Sequence, residues 1–476
     1  MSVKTNHYTA IIASLILTGA HPVSAGADIR IDSVERKSNG LRLNWTNSAP
    51  GYVYTLQQRA APAGGTWSNV WTRYRWPGVM TGWTEPSRLL SDAGFFRVVA
   101  EPIQVPQRGK VLATETLRQF SLSDVLYYLN NDGVPTTDAQ WPVHYYRIVY
   151  ETVDPFGLPI TASGGLFVPQ GVAGAMPLLS DQHETQIYKP WVPSQNDDYW
   201  FSEALLFASS GYVTVMADYL GLGESPGLHP YLHAKTEATA VVDMLRAVKT
   251  FCAKSNIMLN AQLFLTGYSE GGHATAAAQR ELETHHTNEF IVTASAPMAG
   301  LYDVSGILHS IAASNDFRKP FGIVYTLTAW LPIYNLADTM EELLASPYDQ
   351  TLPPLFDGSH ILGDDILPAM AIGVESTLDA DFLDAILSDT NHPFWLATAD
   401  NDLLDWAPRA PMHLYHCSGD DRAPYWNAVS ALQAYTNNGA CCVELINPET
   451  GGPLNHNQCW LPSLTAAKAW FDTLKQ

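Results

Sequence analysis

One pentapeptide, Gly-Tyr-Ser-Glu-Gly at 267–271, constrains the fold of this chain more than any other sequence feature. It follows an apolar run at 262–266 and opens a helical pattern over 270–283. In a G-x-S-x-G segment the glycines relieve crowding in a sharp turn, and the serine hydroxyl is exposed at its tip. The segment therefore predicts a strand, a tight turn that carries Ser269, and a helix whose N-terminus lies beside the serine.

Strands and helices alternate through the rest of the C-terminal part. Apolar runs predict strands that start near residues 177, 212, 262, 290, 412 and 442, and periodic patterns predict helices over 235–253, 270–283, 425–435 and 464–474. Before them, 112–131 is predicted to be largely helical, and 144–153 and 160–168 to form a hairpin. This alternation predicts a mainly parallel sheet covered by helices on both faces. Residues 304–408 show helical patterns without a clear strand, which predicts an inserted helical cap.

Two residues near the end of the chain can complete a catalytic group with Ser269. A serine hydroxyl is a weak nucleophile near neutral pH and needs a base that an acid orients. His456, the last histidine of the chain, lies between the last predicted strand and the last predicted helix. Asp420 follows the predicted strand at 412, with Asp421 beside it and Asp303 after the preceding predicted strand as alternatives. The sequence therefore predicts a triad of Ser269, His456 and one of these aspartates.

These motifs resemble the α/β-hydrolase superfamily, in particular its secreted lipase and esterase branch. The similarity spans about residues 106–476 and rests on 211–225, on His-Pro-Tyr-Leu-His at 229–233 and on 267–272. It implies an α/β-hydrolase fold in which serine, acid and histidine follow in this order along the chain. The segment 416–424 is similar to the H-G-x-x-D-x-x-x-P pattern of many such enzymes, which favours Asp420 as the acid.

The resemblance also implies the reaction, which is carboxylic ester hydrolysis through an acyl-enzyme with no cofactor. One oxyanion donor is expected to be the backbone amide of Glu270. The other is expected from the loop at 181–185, where Glu184 stands in place of the glycine that related enzymes often carry, and we assign it to Thr185. Two alternatives remain open at this point. One is a serine peptidase of the prolyl or dipeptidyl type on the same fold, and the other is a catalytically silent binding protein.

The first 25 residues have the features of a signal peptide. Lys4 precedes an apolar run at 10–20, and small residues follow at 23–25. The run is shorter than the roughly 20 apolar residues that a membrane-spanning helix needs. We expect cleavage after Ala25 and a secreted or periplasmic protein without a transmembrane anchor.

Residues 27–103 alternate short β-type runs with turn residues and predict a small β-sandwich. The runs at 41–45, 51–56 and 94–100 resemble fibronectin-III or immunoglobulin-like accessory modules. A linker is expected at 101–109. Tryptophans in this part are candidates for a stacking platform for sugars or polymers: Trp67, Trp71, Trp76 and Trp83.

The net charge of −21 is unevenly distributed along the chain. Residues 1–105 carry a net charge of +4 and residues 106–476 carry −25. An acidic main part repels phosphate backbones and anionic lipid headgroups, so nucleic acid is not an expected partner. Residues 305–408 alone hold 16 acidic and two basic side chains. We therefore expect a neutral ester as the substrate, with a lipid and a polymer as candidates.

The cysteines and histidines outside the triad indicate bridges rather than a metal site. An exported chain can form disulfides, and a bridge from Cys459 to Cys441 or Cys442 is expected to fix the loop of His456. The histidines at 229 and 233 are separated by a proline-containing turn and lack an acidic ligand in the motif, so local structure is expected there. No CxxC pair or HExxH motif is present to indicate a metal.

Overall fold

The computed structural model of the protein describes residues 30–37, 40–46, 52–59, 66–74, 82–86, 95–102, 105–195, 201–313, 321–370 and 373–476. Contacts divide the chain into two compact units, Met1–Val105 and Pro106–Gln476. The predicted signal peptide at 1–25 lies outside the described residues.

Six strands form the described part of the first unit: β1 Arg30–Lys37, β2 Gly40–Thr46, β3 Tyr52–Arg59, β4 Ser68–Tyr74, β5 Gly82–Pro86 and β6 Phe95–Pro102. They pair into two three-stranded antiparallel sheets, in the orders β1-β2-β5 and β4-β3-β6. The Arg97 guanidinium lies 4.4 Å from the ring centre of Trp67, so one face of this tryptophan is covered. The side chains of the other three tryptophans lie outside the described part, and the sandwich module remains a prediction.

A nine-stranded sheet forms the centre of the second unit, in the order β15-β14-β13-β12-β10-β11-β9-β8-β7. Its strands are β7 Val111–Phe120, β8 Val143–Val153, β9 Pro159–Pro169, β10 Met176–Gln182, β11 Val213–Ala217, β12 Leu259–Tyr268, β13 Ala294–Met298, β14 Met412–Tyr415 and β15 Val443–Ile446. Strands β10 to β15 pair in parallel, and β7, β8 and β9 extend the sheet antiparallel beyond β11. The mainly parallel sheet and the β8–β9 hairpin are thus confirmed.

The described helices of the second unit are α1 Leu122–Asn131, α2 Phe201–Ala208, α3 Ala234–Lys254, α4 Glu270–His285, α5 Val304–Ala313, α6 Phe321–Tyr334, α7 Tyr348–Thr351, α8 Leu367–Ala369, α9 Ala380–Ser388, α10 Pro393–Asp400, α11 Tyr425–Asn437 and α12 His456–Leu474. Helices α1, α2 and α12 share one apolar core with the sheet, and α3 and α4 share another. The neighbouring β12 residues Phe264 and Leu265 belong to different cores, as the alternation of side chains along a strand requires. Among the described helices, none has the length and apolar composition that crossing a membrane demands.

The start of the second unit differs from the prediction. Residues 112–120 belong to β7, which pairs antiparallel with β8 at the sheet edge, and are not helical. The helix begins only at Leu122, because Ser121 and Asp124 form a capping box at its N-terminus. Strand β7 lies at the edge of the sheet and mixes polar and apolar residues, so the alternation of apolar and polar side chains that is typical of a strand is weak in its sequence.

Other element boundaries also shift. The strand expected at Phe290 starts at Ala294, because the Phe290 amide donates to the carbonyl of His286 and closes the turn that follows α4. Helix α12 starts at His456 rather than near 464. Helix α2 is absent from the prediction because all its residues are buried and it lacks a polar face.

Residues 304–408, between β13 and β14, contain α5 to α10. Within the described portion of this insertion, β pairing is limited to an isolated bridge between Leu344 and Leu378. The insertion has an apolar core of its own around Tyr325 and Trp330, which also includes Tyr231 from the body of the unit. The helical character matches the expectation, and the role as a cap stays a prediction.

Candidate active site

Ser269 occupies the turn between β12 and α4. Its backbone has φ 59° and ψ −120°, a region that L-residues rarely adopt. The Ser269 amide donates to the carbonyl of Met298 at 2.9 Å, which ties the turn to the neighbouring strand β13. The side chain therefore projects from the carboxyl end of the central strands, as the pentapeptide predicts.

Glycines on both sides let the backbone pack closely at this turn. A Cβ atom on Gly271 would lie 1.8 Å from the carbonyl oxygen of Gln182, and one on Gly267 would lie 2.5 Å from the same atom. Such distances are far below van der Waals contact, so a side chain at either position would push the end of β10 away from α4. The glycines thus bring the loop after β10 next to the start of α4.

His456 is the first residue of α12 and reaches Ser269. Asn455 caps this helix through a capping box with Gln458, which fixes where the helix begins. The Ser269 hydroxyl lies 2.9 Å from His456 Nε2 and can donate to it. The Tyr268 hydroxyl donates to the His456 carbonyl, so the turn and the start of α12 are linked twice.

Asp420 lies on the other side of the imidazole. His456 Nδ1 donates to Asp420 Oδ2 at 2.7 Å, and the amides of Arg422 and Ala423 donate to Oδ1 at 2.9 Å. Burial acts to raise the pKa of Asp420, but hydrogen bonds from His416 and His456 outweigh it and hold the pKa well below the usual range. The carboxylate is therefore ionised when it faces His456.

The two alternative acids bind backbone amides instead. Asp421 Oδ1 accepts a hydrogen bond from the His456 amide at 3.1 Å. Asp303 Oδ1 accepts one from Gly306 at 2.9 Å, near the start of α5. Of the three candidate acids, the structure brings Asp420 to the imidazole ring.

A disulfide joins Cys417 to Cys459, with 5.9 Å between their Cα atoms, and the predicted pairing of Cys459 with Cys441 or Cys442 is wrong. Cys441 and Cys442 precede β15, whereas Cys459 follows it, so they lie at opposite ends of this strand. Cys417 follows the end of β14 on the same side as α12. The bridge thus connects the segment of the acid to the helix of the base. Cys252 is buried and unbridged.

The two expected oxyanion donors belong to the start of α4 and to the loop after β10. Glu270 opens α4, so its amide is at the positive end of the helix dipole. Thr185 lines the same cavity as Ser269 and His456, as does Glu184. The structure therefore brings these segments together, and the donor roles of the Glu270 and Thr185 amides remain predictions.

A cavity of about 1330 Å³ lies over Ser269. One side, here called the apolar wall, comes mostly from the insertion and includes Val304, Ile307, Leu308, Ile311 and Phe321. Another part of the lining, here called the aromatic acidic wall, comes from α1 and its C-terminal end, α2 and α12 and includes Tyr127, Tyr128, Asp132, Glu203 and Trp460. The cavity therefore offers two chemically different surfaces beside one nucleophile.

Carboxyl groups near the cavity hold protons more tightly than ordinary ones. Burial, together with the nearby Glu184, raises the pKa of Asp181 to about 8. Burial, together with Asp181 and Glu184, also raises the pKa of Glu203 well above its usual value, although Trp460 Nε1 donates to this carboxyl. Their formal negative charge is thus reduced at neutral pH.

Similarity to known proteins agrees with this geometry. Residues 190–300 match the family model described as secretory lipase. No curated protein matches the chain. A putative hydrolase from Legionella pneumophila is 26% identical, with a TM-score of 0.69, and the match covers 77% of this chain and 98% of that one. Candida antarctica lipase A in its closed state is 15% identical, with a TM-score of 0.57 over 78% of this chain and 84% of that one, and shares the fold.

The rice cell wall degrading esterase LipA from Xanthomonas oryzae, in a ligand-bound form, is 30% identical, with a TM-score of 0.69. The match covers 77% of this chain and 98% of LipA. Identity at this level over nearly the whole relative shows common family membership. The chain therefore belongs to the secretory lipase family of α/β hydrolases and is a carboxylic ester hydrolase.

Proposed function

We propose that the protein is a secreted serine ester hydrolase in which Ser269, His456 and Asp420 form the catalytic triad. The observation that carries this proposal is the continuous chain of hydrogen bonds from Ser269 Oγ through both imidazole nitrogens to Asp420, with lengths of 2.9 and 2.7 Å. Each partner is within the distance that proton transfer requires.

In the acylation step, His456 Nε2 accepts the Ser269 proton while Oγ bonds to the carbonyl carbon of the ester. Asp420 orients the ring and stabilises the imidazolium that forms. The amides of Glu270 and Thr185 donate to the oxyanion. His456 then gives its proton to the leaving alcohol, and the acyl group stays on Ser269.

In the deacylation step, water takes the place of the alcohol. His456 accepts a proton from the water, and the resulting hydroxide attacks the acyl carbon. Collapse of the second tetrahedral intermediate releases the carboxylic acid and returns the proton to Ser269. The cycle uses no cofactor.

The substrate is a neutral ester whose acyl group lies against the apolar wall. Burial of hydrocarbon there is favourable by about 25 cal/mol per Å² of apolar surface. The alcohol portion then lies toward the aromatic acidic wall. The insertion at 304–408 acts as the cap over this cavity.

Export follows from the signal peptide at 1–25, with cleavage after Ala25, and agrees with the secretory lipase match. The strands within 27–103 form an accessory β module that precedes the catalytic domain at 106–476.

Replacing Ser269 with alanine tests the proposal. We expect the Ser269→Ala variant to lose p-nitrophenyl ester hydrolysis by about 10⁴-fold or more in kcat, because the nucleophile is gone. It should also lose covalent labelling by a fluorophosphonate probe. The exposed Ser359→Ala serves as the control and should keep both. Full esterase activity in Ser269→Ala would contradict the mechanism.

A further inference from the structure

The histidine motif at 229–233 reaches the proposed nucleophile through the residue that follows it. His229 Nε2 lies 2.7 Å from Glu270 Oε1. Both side chains are buried, with relative exposures of 3% for His229 and 0% for Glu270. Glu270 Oε2 has no hydrogen-bond partner among the described residues, so His229 is the residue that holds this carboxyl group.

The proton arrangement of the pair follows from its neighbours. His229 Nδ1 lies 2.9 Å from the Leu220 carbonyl oxygen, and it must donate there because a carbonyl can only accept. A second proton must lie between Nε2 and Glu270 Oε1, since a bare nitrogen and a bare carboxylate would repel each other. The pair is therefore neutral overall and joined by a strong hydrogen bond.

The His229 ring is also linked to the loop that follows β10, which lines the cavity beside Ser269. His229 stacks on Tyr219, with ring centres 5.8 Å apart and planes 13° from parallel. The Tyr219 hydroxyl donates to the His183 carbonyl at 3.1 Å. His183 lies two residues before Thr185, to which the second oxyanion donor is assigned. The imidazole is thus linked to both segments that flank the serine, directly to Glu270 and through Tyr219 to His183.

The ring is enclosed on its remaining sides and does not line the cavity. Tyr231 and Tyr325 pack around it, with ring centres 6.4 and 6.1 Å from that of His229. Tyr325 belongs to α6 of the insertion, so movement of the ring would require repacking of that helix. His229 is absent from the residues that line the cavity over Ser269.

We propose that His229 is a positioning residue for the oxyanion hole, which fixes the amide of Glu270 through the carboxyl group and the loop at 183–185 through Tyr219. This inference rests on the proposed function. Because a displacement of about 1 Å at a catalytic group can lower a rate by roughly 100-fold, loss of this support should affect the chemical step more than substrate binding.

The test compares His229→Gln, Glu270→Gln and the double variant, none of which alters the Glu270 amide. With p-nitrophenyl esters, each single variant is expected to lower kcat by about 10- to 100-fold, with KM within about threefold of the parent. The double variant is expected to recover much of the loss, because two facing amides can hydrogen-bond to each other. Thermal unfolding checks that each variant is folded.

Tyr219→Phe provides a second test that does not disturb the buried pair. It keeps the stacked ring and removes the hydrogen bond to His183, and we expect kcat to fall by about threefold to tenfold with KM unchanged. If His229→Gln or Glu270→Gln does not fold, the Tyr219→Phe variant still tests the positioning role of His229. Unchanged kcat in Tyr219→Phe would overturn the inference.

A matched control pair lies one turn further along α4. His273 Nδ1 and Glu237 Oε2 are 2.6 Å apart and equally buried. The His273→Gln/Glu237→Gln variant should keep kcat within about threefold of the parent value. The inference is overturned if the control lowers kcat as much as the His229 and Glu270 variants do, or if the double variant is no faster than the slower single. Absence of fluorophosphonate labelling in the parent would instead overturn the proposed function and this inference together.

Discussion

The backbone of Ser269 is held in an uncommon conformation by its surroundings. With φ at 59°, the turn persists because Met298 accepts its amide and because Gly267 and Gly271 allow the end of β10 to approach. A motif with glycine at both positions makes this arrangement predictable from sequence. The same cannot be said of the His229–Glu270 contact, because it joins residues far apart in the chain and no local pattern indicates it.

Asp420 and Asp421 are neighbours in sequence with different tasks. We expect Asp420→Asn to lower kcat by about 10³- to 10⁴-fold, because an amide facing His456 Nδ1 favours the wrong tautomer and cannot stabilise the imidazolium. Steady-state kinetics on a soluble ester measures the change. Asp421→Asn is the control, since an asparagine oxygen can still accept from the His456 amide, and it should stay within about tenfold of the parent. Equal losses in the two variants would contradict the assignment.

At the scale of elements, the sequence predicts most of the central strands of the sheet, but it does not predict the edge strand β7. Strongly apolar strands such as β10 and β12 are recognisable because both faces are buried. The edge strand β7 and the wholly buried α2 lack a clear hydrophobic period, so the sequence does not predict them. The cysteine pairing is likewise inaccessible, because only the register of β14, β15 and α12 decides which sulfur atoms meet.

The Cys417–Cys459 bridge joins the acid segment to the base helix, so its loss should affect stability and activity together. We expect the Cys417→Ser/Cys459→Ser variant to lose about 2–5 kcal/mol in the free energy of unfolding, as disulfides that close loops of this length typically provide. Denaturant unfolding measures the change. The kcat value should also fall, because Asp420 and His456 are less firmly held.

Cys441→Ser/Cys442→Ser is the matched control and should change neither quantity appreciably. Alkylation of the denatured, unreduced protein should label at most the three cysteines outside the bridge. A mass that corresponds to five alkylated cysteines would contradict the bridge.

On the scale of the whole molecule, the second unit buries several carboxyl groups with raised pKa values. Burial raises the pKa of Asp181 to about 8, and it raises the pKa values of Asp218 and Asp402 to about 6. In the unfolded chain these groups titrate near 4. Between roughly pH 4 and 8 these carboxyl groups therefore bind more protons in the folded protein than in the unfolded chain, so the stability that they contribute decreases as the pH rises.

This linkage predicts a lower melting temperature at pH 8.5 than at pH 5.5, by about 2 °C or more. Asp181→Asn should reduce the difference, because it removes a buried carboxyl group that must ionise within this pH range. The exposed Asp384→Asn removes the same formal charge from the surface and should leave the difference unchanged. A melting temperature that rises from pH 5.5 to 8.5 would contradict the prediction.

The acidic insertion is expected to influence which esters reach the cavity. Because residues 305–408 carry a net charge of −14, a neutral ester should show a kcat/KM at least about threefold higher than a matched ester bearing a carboxylate at low salt. The ratio should shrink at high ionic strength as charges are screened. Equal turnover of the two esters at low salt would show that the acidity serves solubility alone.

The connection between Cys417 and Cys459 also bears on when activity arises during biosynthesis. The serine turn can form once β13 has been made, but the base and the second cysteine are translated near the end of the chain. Under the proposed mechanism, a partly synthesised or reduced chain carries a nucleophile without a firmly held base. The full rate of hydrolysis is therefore expected only after the last helix has docked and the bridge has formed.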